Sequence, residues 1–543
     1  MPVAITPYPA DLVREFTANG WWATRSLSED VRALAAGAAA DSPAYLCAEG
    51  TLSWRDYDAA ADGLAAVLRR LGLPEAEFVG VYLADSPLTH VAYLAVERAG
   101  LTIVGIGPRS GRHEIAHLLA TTGAPVLLTT ARVGDVDARE LVVSVRDELP
   151  ALRTHLVTDL AATNGRCREL TASVEPPVAA TTPIGVAPAR GPNDVFMVNA
   201  TSGTTGRPKC VQHSQNRWRR FAQHAVTAAE LRVGEEVLFS ALPSPFGFGL
   251  WSAHFLPVQL AAPSLLLHRW DAAVALELMT RHGVTMFAGV TTQLMMLLDR
   301  LEAGAQAPPR LRAVFTGGEP VPYERAQRFE ELTGAVVLQF YGSNESGALS
   351  CTTVHDDLEH RLRTAGRILP EMHVALADPD TGAAVDEPGH TGQPTCWGPL
   401  MSSGYLADEA ANAALFDAEH RMRMPDLATL SADGYLTVSG RVADIIIRGG
   451  MNISATEVEE ALLAHPSVEL AAVIGAPHPT FGEQVAAFVQ LRPGSSLTIA
   501  DVQAHFAARG RAKHTWPEQL HVLDEMPRNT GEKIAKGSLR ALL

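Results

Sequence analysis

The sequence predicts an α/β protein: a large N-terminal domain of parallel-type sheets with flanking helices and a β-rich subdomain, then a small α+β C-terminal domain. Three observations carry that expectation. Short apolar runs alternate with helix-period segments through most of the chain. Around residues 378–392 the texture turns to Asp, Pro, Thr and Gly, as in the turns of a smaller β-rich region. Near residue 440 it changes again, and a unit of about 100 residues follows, within the usual domain range. The expected division is 1–440 and 441–543.

The elements follow in order. Residues 78–83 are an apolar run, 88–98 read helical, 102–106 are a second run, 114–120 a helix and 125–130 a third strand. The alternation resumes with a strand at 195–199, helices at 272–281 and 292–300, a strand at 311–315, a helix at 324–332 and a strand at 335–340. In the last unit, 457–464 and 499–508 read as helices and 468–474 and 485–491 as strands. Residues 237–268 contain no Asp, Glu, Lys or Arg, but Pro243, Pro245, Pro257 and Pro263 interrupt them. A spanning helix needs about 20 uninterrupted apolar residues, so this segment reads as buried strands and a pocket wall, and no membrane association is expected.

At 543 residues the chain exceeds one ordinary domain, and 47% hydrophobic with 19% charged residues marks a globular protein rather than a disordered one. Its net charge of −16 disfavours nucleic acid and anionic membranes as partners. Cys47, Cys167, Cys210, Cys351 and Cys396 are scattered and odd in number, with no CxxC pair, which fits a reducing compartment. The N-terminus carries Asp11 and Glu15 and no apolar run, so no signal peptide is read there and the expected location is cytoplasmic.

The sharpest chemical signal is Thr201-Ser202-Gly203-Thr204-Thr205-Gly206-Arg207-Pro208-Lys209, directly after an expected strand. Glycines let backbone N–H groups approach an anion, hydroxyls add donors and Lys209 adds charge. The Gly-Lys-Ser/Thr ending of a P-loop is missing, so this is a phosphate-cradling loop of another kind.

With this string the chain resembles the adenylate-forming superfamily: acyl- and aryl-CoA synthetases, adenylation domains of nonribosomal peptide synthesis, and beetle luciferases. Further motifs follow in the family's order. Gly317-Gly318-Glu319-Pro320 resembles the segment that packs adenine. Tyr341-Gly342-Ser343-Asn344-Glu345 resembles the motif whose Glu holds Mg²⁺. Asp426 resembles the acid that binds the ribose hydroxyls, Gly440-Arg441-Val442-Ala443-Asp444 the domain junction, and Lys533 the catalytic C-terminal lysine. The resemblance implies a mobile lid from 441 onward, hinged at Ala443 and Asp444. It implies ATP, Mg²⁺ and CoA as cofactors and co-substrate, with Thr201 to Gly206 and Lys209 on phosphate. Gly317, Gly318, Glu319, Tyr341, Gly342, Asp426 and Arg441 fall on adenine and ribose, Glu345 on the metal, and Lys533, Glu345 and Asn344 on catalysis.

The chemistry asks for such groups. A carboxylate is a poor electrophile, and its attack on the α-phosphate of ATP brings two anions together, which a metal and a cation must neutralise. Taken alone, Glu345 would be a solvated turn residue, Lys533 beside Glu532 a surface pair, and Asp426 after Pro425 a cap. The chain also departs from the pattern: Asn344 replaces a Thr, Met424-Pro425 a Thr-Gly, Glu532 a Gly, and Ala443 the charged hinge residue.

Relatives that activate amino acids carry an Asp where Phe246 stands, and an ammonium against an apolar wall is costly. Phe246, Phe248, Gly249, Trp251 and Gly289, with Phe287, Met295 and Met296, are candidates for a flat pocket suited to an aryl or arylacrylic acid. The expected function is ATP-dependent activation of an apolar, aromatic carboxylic acid as acyl-AMP and its transfer to CoA by an AMP-forming ligase of secondary metabolism. Arg509, Arg511, Lys513 and His514, and Arg217, Arg219 and Arg220, are the cations offered to the CoA phosphate. Three alternatives stay open: activation of nitrite to diazotise an aryl amine, loading of a carrier protein, and a non-catalytic nucleotide-binding paralogue.

Overall fold

A computed structural model describes residues 8–48, 50–160, 167–171, 190–200, 208–319, 321–379, 381–448, 451–528 and 534–543. Two large sheets form the N-terminal part, and both are parallel at their centres. The first has nine strands. Its parallel core runs through Pro43–Cys47, Ser264–Leu266, Leu238–Ser240, Met286–Ala288, Ala313–Gly317 and Val336–Ser343, with antiparallel strands at both edges. The second has seven, with Val195–Ala200, Thr102–Ile106, Phe78–Tyr82, Val126–Thr129 and Thr154–Leu160 parallel. Strands at both sheet centres read as unbroken apolar runs because helices cover both faces. Phe78–Tyr82, Thr102–Ile106 and Ala313–Gly317 are buried along their whole length.

A five-stranded antiparallel sheet follows, from His373–Ala377 to Leu436–Arg441. The smaller C-terminal unit has its own five-stranded sheet and its own apolar core, with Ile446, Val458, Val473, Val489 and Phe506 buried together. The architecture is the one the alternation predicts. Leu436–Arg441 belongs to the third sheet and Ile445–Arg448 to the C-terminal one, and a single 3₁₀ turn, Val442–Asp444, joins them. The two parts touch through Arg492, whose Nη1 lies 3.1 Å from Asp299 Oδ1.

The segment 237–268 corrects the sequence reading. Only Leu238–Ser240 and Ser264–Leu266 are strands, and residues 247–260 are helical. Periodicity does not separate a buried helix from a buried strand when every position is apolar. Pro257 is tolerated because a π-helical stretch, Leu250–Phe255, precedes it and changes the hydrogen-bond register where its N–H is missing. Among the described residues no helix is long and apolar enough to cross a membrane.

Candidate active site

Strand register assembles the site. Gly317, at the end of its strand, pairs with Phe340, and the next residue on that partner strand is Tyr341. A Cβ on Gly317 would sit 2.8 Å from the Phe340 carbonyl oxygen, and one on Gly342 would sit 1.9 Å from that of Gly347, so neither position admits a side chain. Gly318 is exposed with φ +79°, a left-handed conformation that suits glycine. Glu319 is half-buried beside it.

Asp426 and Arg441 face each other across two antiparallel strands, with Arg441 Nε 3.4 Å from Asp426 Oδ1. The Tyr341 hydroxyl donates to Asp426 Oδ2 at 2.7 Å. Burial, then the Asp426 carboxylate, hold the Tyr341 phenol well above its usual range, so it stays a donor. The carboxylate is oriented from two sides and remains partly open, which suits a pair of ribose hydroxyls.

Glu345 sits in the turn after Val336–Ser343, half-buried. Tyr405 donates to its Oε1 at 2.8 Å, and among the described residues no hydrogen bond reaches its Oε2. Tyr405 reaches Glu345 because its segment bridges to Val211 and Leu406 N donates to Cys210 O at 2.8 Å. The same bridge sets Lys209 Nζ over the Tyr405 ring, 5.0 Å from its centroid. Among the described residues no group of three or more His, Cys, Asp or Glu could hold a metal. One carboxylate oxygen is nevertheless what Mg²⁺ needs, since it takes most of its shell from water and substrate phosphates. Asn344 is half-buried, and its Oδ1 accepts from Gly247 N at 3.2 Å. Thr201, Ser202, Gly203, Thr204, Thr205, Gly206 and Lys533 lie outside the described residues, as do Pro320 and Glu532.

The pocket candidates separate into two groups. Phe248 stacks on Trp251, centroids 5.5 Å apart, and Phe340 meets both edge-on at 4.7 and 5.9 Å. Trp251 is fully buried, while Phe248 and Phe340 are half-buried and form the open face of this cluster; Phe246 is half-buried too, with its ring against Gly107. Phe287 instead packs with Phe239 and Trp270 in another core cluster, which Met295 abuts. Met296 is exposed and accepts from the Trp270 indole. Gly249 and Gly289 are required by packing: a Cβ would meet the Pro243 oxygen at 2.3 Å and the Phe287 ring at 2.4 Å.

Arg217, Arg219 and Arg220 are not offered to a CoA phosphate but are engaged within the chain. Arg217 is 1% exposed and donates to the carbonyls of Leu400, Asn344 and Glu345. Arg219 pairs with Asp30 at 2.7 Å, and Arg220 with the buried Glu371 at 2.5 Å. A helix three to four residues per turn throws consecutive arginines onto different faces, and here the core took them. Arg509 and Lys513 are exposed, and Arg511 and His514 half-buried.

The family model described as AMP-binding enzyme matches residues 32–406, and that of the AMP-binding enzyme C-terminal domain matches 457–533. The chain belongs to the AMP-binding enzymes. It is a member of the adenylate-forming superfamily that its motifs resemble, and an AMP-forming ligase. Among its relatives, a salicylyl-CoA synthase / salicylate adenylyltransferase of a Streptomyces species is 30% identical over 98% of this chain and 96% of that protein. A salicyl-AMP ligase / salicyl-S-ArCP synthetase of Mycobacterium tuberculosis is 29% identical over 98% and 93%. Among solved structures, ATP-bound MatB from Rhodopseudomonas palustris superimposes with a TM-score of 0.80 at 26% identity, covering 95% of this chain and 98% of that one. AMP-binding enzymes of this kind form an acyl-adenylate from ATP and a carboxylic acid, and that activity is this chain's.

Proposed function

We propose that this AMP-binding enzyme adenylates an aromatic carboxylic acid and passes the acyl group to CoA. The observation that carries the reading is the contact between the aromatic face and the metal-site turn. Gly247 N, between Phe246 and Phe248, donates to Asn344, the neighbour of Glu345. A planar acid lying on one of the Phe248 and Phe340 rings and meeting the other edge-on would turn its carboxylate end toward Asn344. Aromatic faces reward such a ring beyond its buried area, by about 0.5–1.5 kcal/mol per pair. The curated relatives named for salicylate support an aryl acid, and one of them is named for CoA.

In this scheme the loop from Thr201 to Lys209 receives the phosphates of ATP, Gly317 and Gly318 face the adenine, and Asp426 holds the ribose. Glu345 holds Mg²⁺, whose charge offsets the phosphate anion when acid and α-phosphate meet. Lys533, on the C-terminal lid, neutralises the charge that develops during adenylation. Ala443 and Asp444 mark the junction about which the lid turns, just past the expected domain boundary at 440. Arg509, Arg511, Lys513 and His514 receive the CoA 3′-phosphate.

A pyrophosphate-release screen over aryl, arylacrylic and aliphatic acids tests the first half, and CoA-dependent AMP release with thioester detection tests the second. Thioester from an aryl acid is expected. Transfer to a carrier protein alone, or ATP consumption with nitrite and an aryl amine alone, would replace the CoA step.

A further inference from the structure

Asn344 stands where the resembling motif has Thr, and the exchange creates a problem of orientation. A hydroxyl rotates freely between donor and acceptor roles, whereas an amide presents N–H on one side and oxygen on the other. In this chain a buried series of hydrogen bonds decides which side faces which partner.

The series starts at obligate donors. Arg217 Nη1 and Trp218 Nε1 both approach His213 Nδ1, at 2.6 and 3.1 Å. Neither group accepts, so Nδ1 carries a lone pair. Burial, then the adjacent Arg217 cation, hold His213 well below the usual imidazole range, so the ring is neutral and its proton is on Nε2. Nε2 lies 2.8 Å from Asn199, which must therefore present Oδ1. Asn199 Nδ2 then faces the Pro245 carbonyl at 2.5 Å, an acceptor only. Asn344 Nδ2 donates to Asn199 Oδ1 at 2.5 Å. That leaves Asn344 Oδ1 toward Gly247 N, a donor only. Reasoning from Arg217 and Trp218 at one end, and from Pro245 and Gly247 at the other, gives the same orientation of both amides. Arg217 also holds the backbone carbonyls of Asn344 and Glu345, at 2.9 and 2.8 Å. One buried cation thus fixes the turn and, through His213 and Asn199, the amide it carries.

We propose that Arg217, His213 and Asn199 are positioning residues that lock the Asn344 amide so that its second Nδ2–H is presented to an anionic oxygen of the reacting acid or α-phosphate. The proposal deepens the adenylation reading and rests on it for the identity of that oxygen. The orientation itself stands on the hydrogen bonds alone. Thr at 344 would make the series dispensable, because a hydroxyl has no wrong way round.

The test is a rescue. With the acid that releases pyrophosphate fastest, His213→Leu should lower kcat by roughly 10- to 100-fold, a lost positioned donor being worth up to ~10²–10³, while KM for ATP stays within about two-fold. Asn344→Thr sets a reference rate of its own, and measured against that rate His213→Leu should cost less than about three-fold. His213→Gln, whose amide can accept from Arg217 and donate to Asn199, should stay near the native rate. Equal losses from His213→Leu in both backgrounds would assign His213 to folding and overturn the proposal. The ring is also read without turnover: nitrogen NMR of histidine-labelled protein, with His213 identified by its disappearance in His213→Gln, should show the Nε2–H tautomer. The Nδ1–H tautomer would overturn the series whatever the substrate. Absence of pyrophosphate release with every acid would instead count against the adenylation reading, and the NMR result would still decide the amide orientation.

Discussion

The Tyr405 hydroxyl donates to Glu345 Oε1 at 2.8 Å, and the Lys209 ammonium lies 5.0 Å from the centre of the same ring. One tyrosine therefore spaces a carboxylate proposed for Mg²⁺ from a cation proposed for phosphate. Burial, then Glu345, hold its phenol above the usual range, so it remains a donor at physiological pH. Tyr405→Phe should leave folding intact, raise the Mg²⁺ concentration needed for half-maximal pyrophosphate release several-fold, and lower kcat by about ten-fold, as expected for a hydrogen bond to a charged group. An unchanged Mg²⁺ titration would show that Glu345 does not depend on Tyr405.

Lys533→Ala should reduce pyrophosphate formation by roughly 10²–10³-fold, comparable to losing a donor that stabilises developing charge. Conversion of a chemically supplied acyl-adenylate should survive. Equal losses in both half-reactions would remove Lys533 from a role confined to adenylation.

Asp426→Asn keeps the shape but removes the charge that Tyr341 and Arg441 orient. KM for ATP should rise about ten-fold or more, since a hydrogen bond to a charged group is worth about 1.5–3 kcal/mol. Tyr341→Phe should produce a smaller rise in the same direction. A fall in kcat with unchanged KM for ATP would contradict a ribose role.

Glu371 gives a prediction about stability. Burial works to raise its pKa, but the His224 and Arg220 hydrogen bonds outweigh it and bring the carboxyl down to about 2. The native state therefore releases this proton before the unfolded chain does. Its contribution is complete above about pH 4.5 and is lost as pH falls toward 2. That contribution is on the order of 3 kcal/mol. Urea midpoints between pH 2.5 and 5 should rise with pH in the native protein, and Glu371→Gln should flatten that slope and lower stability at neutral pH. Parallel slopes in the two proteins would show that the carboxylate is not held in this way.

Strings of residues made part of the site legible in the sequence. Tyr341 to Glu345 are contiguous, and Asp426 and Arg441 belong to short recognisable segments, so their types and order carried the signal. Tyr405 carried none: it reaches Glu345 only through the bridge between its segment and the strand Cys210–Ser214. His213, Arg217 and Asn199 were equally hidden, because a buried polar series is visible only once its partners are placed. Three arginines within four positions read as cations for a CoA phosphate, yet each has a buried or half-buried acceptor within the chain. The alternating strands and helices of the large domain were legible from period alone. The uniformly apolar stretch before residue 268 was not, since composition without period does not distinguish its helix from strands.

Adenylation of an aromatic acid followed by thioester formation on CoA leaves a product that can be weighed. The direct measurement is mass spectrometry of the products formed from ATP, Mg²⁺, CoA and a panel of aryl and arylacrylic acids. It should be run beside the same enzyme with Arg511→Glu and Lys513→Glu. The expected result is an aryl-CoA thioester with stoichiometric AMP, and an apparent KM for CoA that rises in the double variant while that for ATP stays nearly unchanged. Pyrophosphate release with aryl acids but no thioester, together with ATP consumption on nitrite and an aryl amine, would contradict it.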